Sequence, residues 1–116
     1  MKTVLITEDD PAILDALDIV FTRRGYKVVT YTNGTEILKN NFTRPDIFLI
    51  DRQLSGVDGL DICRYLKANP DTRSIPVIMF SASPHVFNLA IAAGADNFIE
   101  KPFSNKAVLD LVEQYI

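Results

Sequence analysis

The stretch Pro45–Gly59, PDIFLIDRQLSGVDG, confines the chain to few folds, because four apolar residues, Ile47, Phe48, Leu49 and Ile50, run unbroken into the acid Asp51. A run this short that is apolar on both faces reads as a central strand of a parallel sheet covered on both sides. An acid at the C-terminal end of such a strand lies where open α/β sheets carry their chemistry. Asp51 is therefore the first candidate for a reactive group.

The same pattern recurs along the chain. Thr3–Thr7 (TVLIT) is a β-branched apolar run ending in Glu8, Asp9 and Asp10, and Pro76–Phe80 (PVIMF) is followed by Ser81. Lys27–Tyr31 (KVVTY) and Asn97–Glu100 (NFIE) are weaker strands, the last followed by Lys101 and Pro102. Between them lie helical patterns. Asp10 caps and Pro11 opens a helix carrying Ile13, Leu14, Leu17, Val20 and Phe21, which Gly25 ends. A short polar helix through Leu38, or as far as Asn40, is expected after the turn at Thr32-Asn33-Gly34. A third helix carries Leu60, Ile62, Cys63 and Leu66 and stops at Asn69-Pro70, while Gly56 and Gly59 are expected to loosen the loop before it. Ser83-Pro84 is expected to cap a short fourth helix ending before Gly94, and Ser104 a fifth with Val108, Leu109, Leu111 and Val112 inward.

Strand and helix alternate five times, which demands right-handed crossovers and a five-stranded parallel sheet with helices on both faces. All strand ends then point one way, so Glu8, Asp9, Asp51, Ser81 and Lys101 converge on one edge. At 116 residues and 47% hydrophobic composition the chain is expected to be a single domain spanning 1–116 with a core that needs no disulfide.

Composition excludes several functions. The single Cys63 and single His85 cannot supply a zinc ligand set, and Cys63 is expected to be a half-buried core residue in a reducing cytoplasm. A net charge of −3 argues against direct nucleic-acid contact. The apolar run at the N-terminus is too short for a signal peptide or membrane span, so the expected location is cytoplasmic, with no membrane partner.

Three carboxylates brought together from two strands repel one another, and a hard divalent cation resolves the conflict. Magnesium suits this better than calcium, since it uses one or two carboxylates together with water and phosphate oxygens, and no calcium-binding loop is present. A carboxylate beside such an ion can attack phosphorus to give an acyl phosphate, with Lys101 and the Ser81 hydroxyl holding phosphoryl oxygens.

The motifs LITEDD, PDIFLIDRQLSGVDG, PVIMFSA and GADNFIEKPF, in this order, resemble the receiver domains of two-component response regulators along essentially the whole chain. The resemblance implies the flavodoxin-like strand order 2-1-3-4-5. It implies Asp51 as phosphoryl acceptor and Mg2+ held by Asp9 directly, by Glu8 through water, by Asp51 and by the Gln53 backbone carbonyl. It implies Lys101 as the phosphoryl counter-charge, Ser81 and Phe98 as switch residues, and a cis bond at Lys101-Pro102. The implied role is a signalling switch rather than an enzyme. The phosphoryl group would come from a histidine kinase or phosphotransfer protein and be read by a downstream protein target, the receiver being a monomer or a weak phosphorylation-dependent dimer.

Arg52, Gln53 and Ser83 stand at positions that tune acyl-phosphate lifetime in this family. Ser55 replaces a common proline, with a looser loop expected, and the Ser81–Gly94 stretch is shorter than usual, with a trimmed fourth helix expected. These departures motivate the alternative of a degenerate receiver acting as a phosphorylation-independent interaction module. The chain stops after its fifth helix, which is expected to make it a stand-alone regulator or an excised receiver. A haloacid-dehalogenase-type phosphatase would need an acid where Gln53 stands, and a flavodoxin-like flavin site would not place Glu8, Asp9 and Asp10 beside a phosphate. His85 is expected to be a surface residue.

Overall fold

Each apolar run becomes a strand because alternate side chains can be buried on opposite faces of one sheet. In the structure, a computed structural model describing residues 1–54 and 56–116, the strands are β1 (Thr3–Thr7), β2 (Lys27–Tyr31), β3 (Ile47–Asp51), β4 (Val77–Ser81) and β5 (Asn97–Glu100). They form one parallel sheet in the order β2-β1-β3-β4-β5. The helices are α1 (Pro11–Arg23), α2 (Thr35–Leu38), α3 (Gly59–Ala68), α4 (Val86–Ala92) and α5 (Asn105–Glu113). Ser55 lies outside the described residues, and with it the expectation attached to that position.

The sheet divides two cores. Val4, Ile6, Ile47, Leu49, Ile78 and Phe80 face α1 and α5, where Leu14, Leu17, Phe21, Val108 and Val112 meet them. Leu5, Phe48, Ile50, Val77 and Met79 face the other way, onto Ile37, Ile62, Cys63, Leu66, Val86 and Ala90 of α2, α3 and α4. Every residue of β3 and β4 is buried, as the two-sided apolar runs require. Each large aliphatic or aromatic side chain so covered contributes about 1.5–3 kcal/mol, which is what holds the strand ends in register.

Local chemistry sets the helix limits. Asp10 accepts a hydrogen bond from the Ala12 amide at 2.9 Å and Pro11 takes the first helical position. At the far end Gly25 adopts φ +99°, and the Tyr26 amide reaches back to the Phe21 carbonyl at 3.0 Å, closing α1. Ser104 accepts from the Ala107 amide at the start of α5.

Two expectations need correction. Ser83 does not cap α4 with its hydroxyl: the cap position is His85, and no side chain bonds there. Ser83 and Pro84 instead offer their carbonyls to the Val86 and Phe87 amides, a tight turn that delays the helix and leaves it seven residues long. Cys63 is fully rather than half buried, its thiol directed at the Ala93 carbonyl 3.6 Å away, and burial pushes its pKa up to about 11. A thiol in that state is packing material. His85 is exposed. Among the described residues no helix is long and apolar enough to cross a membrane.

Candidate functional site

Because all five strands run parallel, their C-terminal ends share one edge, and the polar residue that terminates each apolar run is delivered there. Glu8 and Asp9 follow β1, Asp51 ends β3, Ser81 ends β4 and Lys101 follows β5. Glu8, Asp51 and Ser81 are almost fully buried at 1%, 2% and 2% exposure, whereas Asp9 is open to solvent. One carboxylate oxygen from each of Glu8, Asp9 and Asp51 lies within 4.8 Å of the others.

Lys101 ties two of these acids together. Its Nζ donates to Glu8 Oε2 at 2.9 Å and lies 3.3 Å from Asp51 Oδ2, while the ammonium also sits 5.2 Å from the centre of the Phe80 ring. The remaining oxygens are held by backbone. Glu8 Oε1 accepts from the Asp10 amide at 3.0 Å, and Asp51 Oδ1 from the Gln53 amide at a long 3.4 Å. The Lys101 amide donates to the Ser81 carbonyl at 2.8 Å, and the Lys101–Pro102 peptide bond is cis.

One ammonium does not neutralise this cluster. Burial pushes the Glu8 carboxyl up to about 7 despite its bond to Lys101, and burial likewise raises Asp51 against the opposing pull of Lys101. Burial acts to lower the Lys101 pKa, but the two carboxylates outweigh it and hold the ammonium above its usual range. The three donors are carboxylate oxygens crowded at one edge of the sheet. That set fits a small hard dication such as Mg2+.

The sign of the resulting pH dependence follows from Glu8. With a folded pKa near 7 against 4.5 for the free group, the folded state holds more protons than the unfolded chain between those limits. The stability from this group is complete below pH 4.5 and is lost as pH rises through 7. In chelator, wild-type Tm should therefore fall more steeply between pH 5 and pH 8 than that of Glu8→Gln. Parallel melting curves for the two proteins would exclude Glu8 as the source.

Ser81 and Phe98 make contacts of their own. Ser81 lies one residue beyond Phe80, the cross-strand partner of Asp51, and its Oγ accepts from the Ser83 amide at 3.1 Å. Phe98, opposite Met79 in β5, is half-buried and meets the Phe87 ring edge-on at a centroid distance of 6.0 Å. Phe87, Leu89 and Ile91 leave α4 with 47%, 46% and 43% exposure.

The segment after Asp51 is where sequence reasoning fell short. Gly59 does not loosen it. The residue is buried, opens α3, and donates its amide to the Arg52 carbonyl at 2.8 Å. A Cβ there would fall on the Asp51 carbonyl oxygen and within 2.8 Å of Arg52 Cα. Asp58 caps α3 by accepting from the Leu60 amide at 2.9 Å, a role that Asp-Gly before an apolar helical pattern could have signalled. Gln53–Leu54 pairs antiparallel with Val57–Asp58.

The chain is similar to known proteins in both sequence and fold. The family model described as "Response regulator receiver domain" matches residues 4–113. The transcriptional regulatory protein AfsQ1 of Streptomyces coelicolor is 34% identical over 113 residues, covering 95% of this chain and 48% of its own length. The DNA-binding response regulator MtrA of Mycolicibacterium smegmatis is 31% identical over 111 residues, with coverages of 93% and 47%. The chain thus spans about half the length of these curated relatives. Among solved structures, the signal receiver domain of a histidine kinase from Syntrophus aciditrophicus superposes with TM-score 0.89 at 32% identity, covering 99% of this chain and 89% of that one. The chemotaxis response regulator CheY4 of Vibrio cholerae shares the fold at TM-score 0.90 and 23% identity, covering 100% and 99%.

Proposed function

This chain belongs to the response regulator receiver domain family, and from that premise we propose that residues 1–116 form one receiver domain that accepts a phosphoryl group on Asp51. The observation that carries the proposal is the grouping of Glu8, Asp9 and Asp51 oxygens within 4.8 Å, with Lys101 Nζ 3.3 Å from Asp51. Receiver domains are signalling switches that work with histidine kinases, and their acidic cluster is where phosphorylation occurs.

In the proposed reaction an Asp51 carboxylate oxygen attacks phosphorus of a phosphohistidine in a histidine kinase or phosphotransfer protein. The P–O bond forms as the P–N bond breaks, and the imidazole leaves. Glu8, Asp9, Asp51 and the Gln53 carbonyl would hold Mg2+, which when bound supplies positive charge to the phosphoryl oxygens. Lys101 already lies beside Asp51 and would remain there as a second counter-charge. Asp51 is 2% exposed, which limits water's access to the attacking oxygen.

The acyl phosphate would add roughly two negative charges at Asp51, and the Ser81 hydroxyl would turn toward them. Phe98 and its neighbour Phe87 would pass that change to the surface of α4. A downstream protein would read that surface. We place the protein in the cytoplasm, with no direct nucleic-acid contact by this domain and with a monomer or weak phosphorylation-dependent dimer as its working form. The test of coupling is Phe98→Ala, which should accept phosphate at the wild-type rate while partner binding loses about tenfold or more of its phosphorylation dependence. Unchanged partner binding would refute the switch role.

Incubation with Mg2+ and acetyl phosphate, read by intact-protein mass, tests the proposal as a whole. One added phosphoryl group, lost in Asp51→Asn, is expected. No adduct, together with no magnesium response, would favour the phosphorylation-independent interaction module instead, a reading the half-exposed Phe87, Leu89 and Ile91 of the short α4 supports.

A further inference from the structure

Arg52 follows the acceptor directly, and its side chain is put to a use that the reaction above leaves unexplained. Its amide donates to the Phe80 carbonyl at 3.0 Å and its carbonyl accepts from the Gly59 amide at 2.8 Å, so its backbone is held from both sides. Its guanidinium turns to Asp58, with Nε 3.3 Å from Asp58 Oδ1, the same oxygen that caps α3. The Nε–H is shielded from water and has no aligned acceptor, so the contact is one of charge rather than a well-formed hydrogen bond.

The partners of Gln53 give this contact its meaning. Gln53 is bonded through the chain to Arg52 and lies opposite Asp58 in the two-residue antiparallel ladder. Two of the residues that hold Gln53, one neighbour along the chain and its neighbour across the ladder, are the two that the ion pair joins. Gly59 packs without a side chain against the Asp51 carbonyl, closing the segment at its base. The staple between Arg52 and Asp58 restrains the segment on its outer side, where the two side chains keep 30% and 38% exposure.

We propose that Arg52 is a positioning residue for cation binding: paired with Asp58, it holds the segment that presents the Gln53 carbonyl to the acidic cluster. The inference rests on the reading of Glu8, Asp9, Asp51 and Gln53 as the Mg2+ site. It makes a prediction that the field of the charges does not. Removing a cation near an acidic site strengthens dication binding by simple electrostatics, and removing an anion weakens it. If the pair acts by position, loss of either member weakens binding.

The experiment is a calorimetric titration of the whole chain with Mg2+, using wild type, Arg52→Met, Asp58→Asn and the double variant. Asparagine caps a helix as well as aspartate does, so Asp58→Asn removes charge without removing the α3 cap. Each single change should weaken Mg2+ binding about two- to fivefold, in keeping with a half-exposed ion pair. The double variant should be no weaker than either single one, because both break the same staple. Exchange of the Gly59 amide with solvent deuterium, measured without metal, should quicken in Arg52→Met. Tighter Mg2+ binding by Arg52→Met, or additive effects in the double variant, would overturn the inference while leaving the metal site standing. A wild-type protein with no Mg2+ response would instead overturn the reading of the site itself, and this role of Arg52 with it.

Discussion

Asp51→Asn should abolish phosphoryl uptake from acetyl phosphate or a kinase, reducing it by at least about a thousandfold because an amide cannot act as the nucleophile. The same substitution should make the folded protein more stable in chelator. Burial raises the Asp51 pKa even with Lys101 alongside, so the fold disfavours the charged form of this side chain. An uncharged side chain of the same shape relieves that cost, and its amide oxygen can still accept from the Gln53 amide as the Asp51 carboxylate does. A gain in stability, read as a higher Tm than that of wild type, is expected at pH 7 without metal. Loss of function with a gain of stability distinguishes an acceptor from a structural acid, whose removal lowers both. Phosphate uptake at the wild-type level by Asp51→Asn would end the assignment.

The second large effect is steric. Alanine is the better helix former, so at the first position of α3 propensity alone favours Gly59→Ala by up to about 1 kcal/mol. Space decides the opposite sign. The added methyl would fall on the Asp51 carbonyl oxygen and lie 2.8 Å from Arg52 Cα, and both are backbone atoms that no rotamer change can move aside. The expected result is a net destabilisation of about 2–4 kcal/mol in urea unfolding, a large share of the stability of a domain this size. Because the displaced atoms belong to Asp51 and Arg52, the surviving folded protein should also bind Mg2+ more weakly. The control is Gly25→Ala, where nothing lies within 4 Å of the added carbon and only the positive φ opposes it. That change should cost only about 1 kcal/mol. Equal effects at the two glycines would contradict the steric account.

These two residues also mark the boundary of what the chain reveals before it folds. Asp51 is legible because a two-sided apolar run ending in an acid has one comfortable place in an α/β protein. Glu8, Asp9, Ser81 and Lys101 are legible for the same reason, since parallel strands with right-handed crossovers leave their polar ends no other edge to occupy. The observed order β2-β1-β3-β4-β5 agrees with the one the family resemblance implies. Gly59 reads in sequence as a source of looseness, because its actual role depends on the backbone of Asp51 and Arg52, and no periodicity records that approach. The start of α4 is misleading in a different way. Ser83 has the chemistry of a cap, yet the turn it makes with Pro84 uses its carbonyl and directs its amide toward Ser81.

Hydrophobic periodicity and chain connectivity thus dictate the class of fold, the polarity of each strand and the residues gathered at the C-terminal edge, because these are properties of neighbours along the chain. Folding in three dimensions was needed to establish that Lys101 bridges Glu8 and Asp51, that burial drives Glu8 toward neutrality, that Gly59 must lack a side chain and that Arg52 turns to Asp58. Each depends on distances of a few ångströms between groups brought together by the fold, and electrostatic and steric energies are steep functions of such distances.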